Sequence, residues 1–312
     1  MKFACVFPGQ GSQSIGMMAE LAEAYPVVNE LFDKASEVLG YDLWKIVQEG
    51  PAEELNKTEV TQPAMLTSGV AVYEILKSKI DVEPELFAGH SLGEYTALVC
   101  AGAIDFADAV KLVSQRGKLM QEAVPPGIGA MAAILGLEDA VIKDICKTAS
   151  DDNFSVQAVN FNSPGQVVIA GNKQAVEMAM ALAKEAGAKR ALKLPVSVPS
   201  HSSLMEGAAQ QLAEFIKAEI KISKPAKPVL QNVSAKAYTR PSDISKNLVK
   251  QLHNPVLWVD TVNNLLAEGI EGIIECGPGK VLVGLNKRIN KDVAHHTVCD
   301  LASLDETVQA LA

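Results

Sequence analysis

The sequence predicts an α/β protein, in which a large domain with a mainly parallel sheet carries an inserted, smaller α+β segment. Short apolar runs alternate with amphipathic stretches along most of the 312 residues, which is typical of strands followed by helices. Pro125-Pro126-Gly127 interrupts this alternation, and a different order of elements follows it. With 48% hydrophobic residues, the chain can bury a large core.

The first part of the chain reads as strands and helices in alternation. Period and length of the apolar runs predict a strand at 3–7, a helix within 21–38, a helix at 64–76, a strand at 86–88 and a helix through 95–99. We expect Gln62-Pro63 to form the entry of the second helix, since the first turn of a helix tolerates proline. Asp105 is placed to cap the helix that follows.

A strand-helix-strand-strand-helix-strand order is predicted after Pro126, which is the ferredoxin-like order. Its elements are a strand at 130–135, a helix at 138–149, strands at 156–159 and 167–170, a helix at 175–186 and a strand at 191–194. We therefore assign 127–198 to a small subdomain, and 1–126 with 199–312 to the large domain. The large domain resumes with a helix through 204–216 and ends with a strand at 272–275 and a turn at 277–279.

Composition excludes several classes of protein. The net charge of -9, from 28 basic and 37 acidic residues, argues against nucleic acid as a partner. No apolar run approaches the roughly 18 residues that cross a bilayer, and Pro8-Gly9 comes too early for a signal peptide. The five cysteines are scattered and form no Cys-x-x-Cys pair. We expect a cytoplasmic protein with neither a disulfide framework nor a metal site.

Gly89-His90-Ser91-Leu92-Gly93 fits the G-x-S-x-G nucleophile elbow. In such an elbow a sharp strand-to-helix turn exposes the serine, and glycines on both sides avoid clashes. The helix beyond Ser91 directs its free N–H groups at the reacting centre, so the backbone N–H of Leu92 is a natural oxyanion donor. The motif also arises by chance in glycine-rich chains, but here a strand precedes it and a helix follows it.

A serine nucleophile needs a base, and five histidines are available. We expect His90 to pack or hydrogen-bond away from the serine, His253 to cap a helix end, and His295 and His296 to lie at the surface. His201 stands where the chain re-enters the large domain. Residue spacing alone leaves two readings of His201 equally open, a catalytic base and a structural histidine.

An arginine on a helix and a glycine-rich turn near the C-terminus are both explained without a functional role. Arg116 lies on a helix through 110–120, and its spacing alone favours an exposed helix arginine. Gly277-Pro278-Gly279-Lys280 lacks the full phosphate-loop pattern, so we interpret it as a tight strand-to-helix turn.

Taken together, several segments resemble the malonyl-CoA:acyl carrier protein transacylase family. They follow the family's order and cover nearly the whole chain: FPGQGSQ at 7–13, TQPA at 61–64, GHSLGE at 89–94, QRG at 115–117, NSP at 162–164, PSHS at 199–202, NPV at 254–256 and GPGKV at 277–281. The resemblance implies a hydrolase-like α/β core with a ferredoxin-like insert and an active site in the cleft between them.

Position by position, the resemblance assigns roles to individual residues. It makes Ser91 the nucleophile and His201 the general acid and base. Gln10 and Leu92 match the two backbone oxyanion donors, and Arg116 matches the arginine that binds the malonyl carboxylate.

Two glutamines complete these assignments. By the same resemblance Gln62 lines the site, and Gln251 falls where the family orients the histidine with a backbone carbonyl instead of an aspartate. The implied reaction moves malonyl from malonyl-CoA to the phosphopantetheine thiol of acyl carrier protein through a malonyl-serine, supplying fatty acid biosynthesis. The coenzyme A thioester is then a substrate, the phosphopantetheine belongs to the partner, and no cofactor is bound. Separately from this reaction, we expect a monomer.

Alternatives remain at this point. A serine thioesterase or hydrolase could use the same elbow, with Asp151 or Asp152 as the acid between serine and histidine. A carrier-protein docking module without catalysis is a reading from another class, although it would not need Ser91, His201 and Arg116 together. Ser200 raises a third possibility, a methylmalonyl-tolerant acyltransferase of polyketide type. For docking an acidic carrier protein, the candidate cations are Lys189, Arg190, Lys287 and Arg288, which could equally be solvated surface charge.

Overall fold

The computed structural model describes residues 1–125, 127–196 and 198–312. Pro126, at the predicted end of the first segment of the large domain, and Ser197, inside the predicted insert, lie outside the described residues. The strands are β1 (Phe3–Phe7), β2 (Leu86–Gly89), β3 (Gly129–Leu135), β4 (Val156–Ser163), β5 (Gln166–Asn172), β6 (Arg190–Lys193), β7 (Val229–Gln231), β8 (Lys236–Ala237), β9 (Gly272–Cys276) and β10 (Ala294–Val298).

Helices account for most of the remaining chain. They are α1 (Ala19–Ala24), α2 (Pro26–Leu39), α3 (Leu43–Glu49), α4 (Ala52–Leu55), α5 (Thr58–Lys77), α6 (Gly93–Cys100), α7 (Phe106–Glu122), α8 (Asp139–Thr148), α9 (Lys173–Glu185), α10 (Glu206–Glu219), α11 (Pro241–Gln251), α12 (Trp258–Ala267), α13 (Val281–Ile289) and α14 (Leu301–Leu311). A 3₁₀ turn at Ser203–Met205 leads into α10. No helix in these described ranges is both long and apolar enough to span a bilayer.

The larger sheet has six strands in the order β10-β9-β1-β2-β7-β8. All neighbours are parallel except the short β8, which is antiparallel to β7. β1 lies inside this sheet, and side chains cover both of its faces. Phe3, Cys5 and Phe7 pack into one core cluster, whereas Ala4 and Val6 pack into another. Burial on both faces explains why the strand is a continuous apolar run instead of an alternating one.

The smaller sheet has four antiparallel strands in the order β4-β5-β3-β6. The elements β3, α8, β4, β5, α9 and β6 follow the ferredoxin-like order that the sequence predicts. The helices cover one face, where Ile134, Ile142 and Val176 share a core cluster. The predicted fold class, a mainly parallel α/β core with a ferredoxin-like insert, is confirmed, while the domain boundaries stay a prediction.

Several local predictions were wrong. Helix α5 begins at Thr58, so Pro63 lies inside the helix and not at its entry; the preceding residues already form a hydrogen-bonded turn on Lys57. The helix expected within 21–38 is broken, because Pro26 begins a new helix there. His295 and His296, expected at the surface, are partly exposed and belong to β10. The strands β7, β8 and β10 were not predicted, since they are short or polar.

Candidate active site

Ser91 stands in a sharp turn between β2 and α6. Its φ is +52°, in the left-handed region that non-glycine residues rarely adopt. The glycines around it allow close contact between backbones. A Cβ on Gly89 would lie 1.9 Å from the Gly93 carbonyl, and a Cβ on Gly93 would lie 2.0 Å from the oxygen of Phe7. The elbow predicted from the motif therefore forms, and both glycines are required for it.

A side chain that the motif did not indicate holds this turn. Asn232, just after β7, accepts the Ser91 N–H with its Oδ1 at 2.7 Å and donates from Nδ2 to the Gly89 carbonyl at 2.7 Å. The amide thus bridges the backbone on both sides of His90, and it is fully buried. In the sequence an asparagine after a short apolar run resembles an ordinary turn residue.

The Ser91 hydroxyl faces His201. Ser91 Oγ lies 2.8 Å from His201 Nε2, and His201 Nδ1 lies 2.6 Å from the main-chain oxygen of Gln251. A carbonyl can only accept, so Nδ1 carries the proton and Nε2 is free to accept from the serine. Burial, and secondly the nearby Arg116 charge, lower the pKa of His201 to about 3, which keeps the imidazole neutral.

The other histidines lie elsewhere. His90 Nε2 is 2.8 Å from Asn162 Oδ1, and its ring packs on Trp258 at 5.6 Å between centroids. This is the packing and hydrogen-bonding role expected for it. His253 follows the end of α11, with its ring 4.0 Å from a carboxylate oxygen of Glu206. Of the five histidines, His201 is the one that the structure brings to the serine.

Arg116 on α7 is buried, which contradicts the expectation from spacing of an exposed helix arginine. Its Nη1 donates to Gln62 Oε1 at 2.8 Å. Its Nη2 lies 3.0 Å from Gln251 Oε1 and 3.2 Å from Ser91 Oγ. The guanidinium carbon stacks 5.2 Å from the ring centre of Tyr95. Burial lowers the pKa of Arg116, yet an arginine stays charged at neutral pH.

This arginine has hydrogen-bonding capacity left over. In the described part of the chain its buried Nε–H has no acceptor, and the three acceptors of Nη1 and Nη2 are neutral oxygens. A buried cation without a directly paired anion is costly. The site is therefore suited to a ligand that brings a negative charge close to Ser91.

The two expected oxyanion donors flank the elbow. Leu92 precedes the first residue of α6, and its N–H has no acceptor within the described ranges. Gln10 lies in the exposed turn after β1. A Cβ on Gly9 would lie 2.6 Å from the His90 carbonyl oxygen, so this turn passes directly against the elbow. Their assignment as oxyanion donors remains a prediction.

Glu94, in the first turn of α6, has a buried carboxylate that the sequence analysis did not single out. Burial raises the pKa of Glu94 to about 7, although three N–H donors and the Arg116 charge oppose that rise. Nothing in the G-x-S-x-G pattern marks this position. An acidic residue in the first turn of a helix is ordinary, and only its full burial sets it apart.

The arrangement can support nucleophilic acyl transfer, with a serine, a neutral histidine and an adjacent cation in one place. The residues that the structure describes contain no group of three or more potential His, Cys, Asp or Glu metal ligands.

Comparisons with known proteins are consistent with this chemistry. The family model described as "Acyl transferase domain" matches residues 4–307. The chain is 57% identical to the malonyl CoA-acyl carrier protein transacylase of Haemophilus influenzae over 99% of both chains. It is 59% identical to that of Escherichia coli over 92% of this chain and 93% of the relative.

Two solved structures have the same fold over nearly the whole chain. The acyl carrier protein S-malonyltransferase of Vibrio cholerae superposes with a TM-score of 0.95 at 56% identity, covering 98% of this chain and all of the other. A malonyl-transacylase solved in complex with its type II PKS acyl-carrier protein gives a TM-score of 0.97 at 53% identity, covering 99% and 100%.

Proposed function

The chain belongs to the acyl transferase family, and from this premise we propose that it transfers malonyl groups from malonyl-CoA to acyl carrier protein. Ser91 forms the malonyl ester, and the phosphopantetheine thiol of the carrier protein receives the group. The product supplies fatty acid biosynthesis, the enzyme works in the cytoplasm as a monomer, and no resident cofactor takes part.

The observation that carries this proposal is the position of Arg116. Its guanidinium nitrogen lies 3.2 Å from the Ser91 oxygen, in a site that is 1% exposed at the arginine. A malonyl group on Ser91 ends in a carboxylate, which can pair with a planar guanidinium in two parallel hydrogen bonds. An acetyl group brings no charge and leaves the buried cation uncompensated. The site therefore favours acyl groups with a distal carboxylate.

In the first half-reaction, Ser91 Oγ attacks the thioester carbon while His201 Nε2 accepts the hydroxyl proton. The carbonyl oxygen becomes an oxyanion held by the N–H groups of Leu92 and Gln10, and such a donor is typically worth about 3 kcal/mol. The carbon–sulfur bond then breaks, and His201 gives its proton to the departing coenzyme A thiolate. Gln251 keeps the imidazole in the required tautomer through its main-chain oxygen.

The second half-reaction reverses these steps. His201 Nε2 accepts the proton of the phosphopantetheine thiol, and the sulfur attacks the malonyl ester carbon. The Ser91–acyl bond breaks, and His201 returns the proton to Ser91 Oγ. Because Arg116 holds the same carboxylate throughout, the acyl group keeps its position between the two halves.

The geometry counts against a hydrolase with a serine, acid and histidine triad. The His201 Nδ1–H is bonded to a main-chain oxygen, whereas Asp151 accepts the N–H groups of Asn153 and Phe154 in its own turn. Asp151 therefore does not serve as the acid of a serine, acid and histidine triad. A methylmalonyl-tolerant enzyme of polyketide type remains an alternative on the acyl side, where Ser200 stands next to His201.

Intact mass spectrometry tests the proposal. Malonyl-CoA alone should add one malonyl group, mapped to Ser91 by peptide analysis, and Ser91→Ala should take up none. Adding acyl carrier protein in its phosphopantetheine form should move the group to the carrier. Release of free malonate at the same rate without a carrier would instead identify a hydrolase.

A further inference from the structure

Gln251 joins both reacting residues to the buried carboxylate of Glu94. Its main-chain oxygen accepts from His201 Nδ1 at 2.6 Å. Its side-chain Nε2 lies 3.0 Å from the main-chain oxygen of Ser91 and 3.0 Å from Glu94 Oε2. The residue that orients the base is thus itself anchored on Glu94.

Asn232 provides a second connection to the same oxygen. Its main-chain N–H donates to Glu94 Oε2 at 2.7 Å, while its side chain accepts the Ser91 N–H at 2.7 Å. A third donor, Gln231 Nε2, reaches Glu94 Oε1 at 2.9 Å. Asn232, which positions the nucleophile, and Gln251, which positions the base, therefore both donate to the Glu94 carboxylate. Glu94 itself has no hydrogen bond to the Ser91 hydroxyl or to His201.

The ionised form of Glu94 fits this arrangement. Three N–H groups point at its two oxygens, and a carboxylate accepts all of them. A proton on Oε2 would remove acceptor capacity that Asn232 and Gln251 share, and a proton on Oε1 would face the Gln231 amide. Among the described residues, Arg116 on α7 is the charged group acting on this carboxylate, and Tyr95 is the titratable neighbour in α6.

We propose that Glu94 is a positioning residue, whose ionised carboxylate holds Ser91 and His201 in reacting geometry through Asn232 and Gln251. This inference rests on the proposed function only in that Ser91 is the nucleophile and His201 the base. It does not depend on which acyl group is transferred.

Sulfonylation of Ser91 by phenylmethylsulfonyl fluoride tests the positioning directly. Ser91 Oγ attacks sulfur, the sulfur–fluorine bond breaks, and His201 takes the proton, so neither a carboxylate nor coenzyme A is involved. We expect Glu94→Gln to slow this labelling by about 10- to 100-fold, because small misplacements of reacting groups have effects of that size. Labelling, and not the affinity for malonyl-CoA, is the readout, because Glu94 also acts on Arg116 by its charge and through the Gln251 amide.

Glu275 offers a matched control. It is also a buried glutamate whose pKa is raised to about 7 by burial, but it accepts the N–H groups of Leu282 and Val283 at the start of α13. Glu275→Gln should label at the parental rate. Equal slowing of both variants, or no slowing in Glu94→Gln, would overturn the proposal.

The pH profile separates positioning from simple packing. Because the pKa of Glu94 is raised to about 7, acidification through that value should protonate the carboxylate and slow labelling of the parent protein. His201 does not titrate there, since its pKa is lowered to about 3. Glu94→Gln should lack this fall in rate. A parental rate that is flat between about pH 5 and about pH 8, or an unchanged fall in Glu94→Gln, would refute the idea.

Folding of the variants is checked by circular dichroism. Should Glu94→Gln not fold, Glu94→Asp keeps the charge with a shorter reach, so it should label slowly and retain a pH-dependent fall. A parental rate in Glu94→Asp would contradict the proposal. If the parent protein is labelled at Ser91 but transfers no malonyl group, and Glu94→Gln is labelled slowly, the proposed function is rejected while the role of Glu94 stands.

Discussion

Arg116 illustrates how one residue can decide a substrate class. Its helix delivers the guanidinium to the nucleophile, and Gln62, Gln251 and the Tyr95 ring hold it there without neutralising it. The Glu94 carboxylate, which acts on Arg116 by its charge, is joined to it only through the Gln251 amide. The cation is therefore fixed in place but still needs an anion.

Replacing Arg116 should change selectivity more than reactivity. We expect Arg116→Ala to lower kcat/KM for malonyl-CoA by about 30- to 5,000-fold, corresponding to about 2–5 kcal/mol for a malonyl carboxylate left without its partner. Acetyl transfer should be spared, so the malonyl-to-acetyl ratio should collapse. Arg116→Lys should rescue only in part, because an ammonium lacks the planar fork.

The exposed Arg240, paired with Asp243 at 2.7 Å, provides the control for that experiment. Arg240→Ala should leave both acyl substrates unaffected. Equal losses of malonyl and acetyl transfer in Arg116→Ala would assign the arginine a structural role instead.

His201 should be the base. His201→Ala should slow acylation of Ser91 by roughly 10²–10⁴-fold, the usual contribution of general acid–base catalysis. His253→Ala, in a half-buried histidine that faces Glu206, is the matched variant and should acylate normally. Rapid mixing with malonyl-CoA, quenching and intact mass spectrometry measure the acylation rate of both variants. If His253→Ala were the slower variant, the wrong histidine would have been chosen.

At the scale of elements, the unit β2–elbow–α6 sets the geometry of the nucleophile. It packs on β1 so closely that Gly93 touches the Phe7 carbonyl. Neighbouring groups, including the Asn232 amide, hold Ser91 in its strained left-handed conformation.

Glycine substitutions test this packing. Gly93→Ala should lower the free energy of unfolding by about 1–3 kcal/mol, since its Cβ would meet backbone that cannot move freely. Gly284→Ala, in the exposed middle of α13 where a Cβ meets nothing within 4 Å, should raise it by about 0.5–1 kcal/mol. Urea unfolding of both variants provides the comparison. A neutral Gly93→Ala would mean that the elbow tolerates repacking.

The same unit shows what a sequence can and cannot predict. The elbow was predictable because strand, motif and helix are contiguous, and each has a local signature. Asn232 and the side chain of Gln251 were not, because separate segments bring them to the elbow and each looks ordinary alone. Glu94 lies in the contiguous segment, but its partners Asn232, Gln231 and Gln251 come from those separate segments. The direction of Arg116 on α7 was likewise decided by tertiary packing, and only the resemblance to a family pointed to it. Short or polar strands such as β10 lack the apolar run that marks a strand.

At the scale of the whole molecule, the two predicted cation pairs lie close together. Arg190 in β6 and Gln166 in β5 both pair with Leu135 of β3, and Arg288 on α13 donates to Gln166 at 2.6 Å. Arg190 and Arg288, which are far apart in sequence, thus lie near the same end of the small sheet. We call these two arginines, with their chain neighbours Lys189 and Lys287, the basic edge. An overall charge of -9 does not prevent an acidic partner from approaching such an edge.

Charge reversal on this basic edge should affect the carrier protein alone. Lys287→Glu combined with Arg288→Glu should raise the apparent KM for acyl carrier protein several-fold, most strongly at low salt, with KM for malonyl-CoA unchanged. Lys45→Glu, at an exposed lysine on α3, is the control and should change neither. Steady-state transfer kinetics at two ionic strengths distinguish the cases, and equal effects on both substrates would remove these residues from the docking face.

The oxygen that accepts from His201 belongs to the main chain, and this has a consequence for how the site can vary. Every amino acid at position 251 supplies a carbonyl, so no substitution deletes that acceptor outright, whereas an aspartate in its place could be lost in a single codon change. The alignment of the imidazole therefore depends on the backbone conformation at the end of α11 and not on the side chain at position 251. Natural variation at this position acts on the amide of Gln251, and so on Arg116, Glu94 and the main-chain oxygen of Ser91.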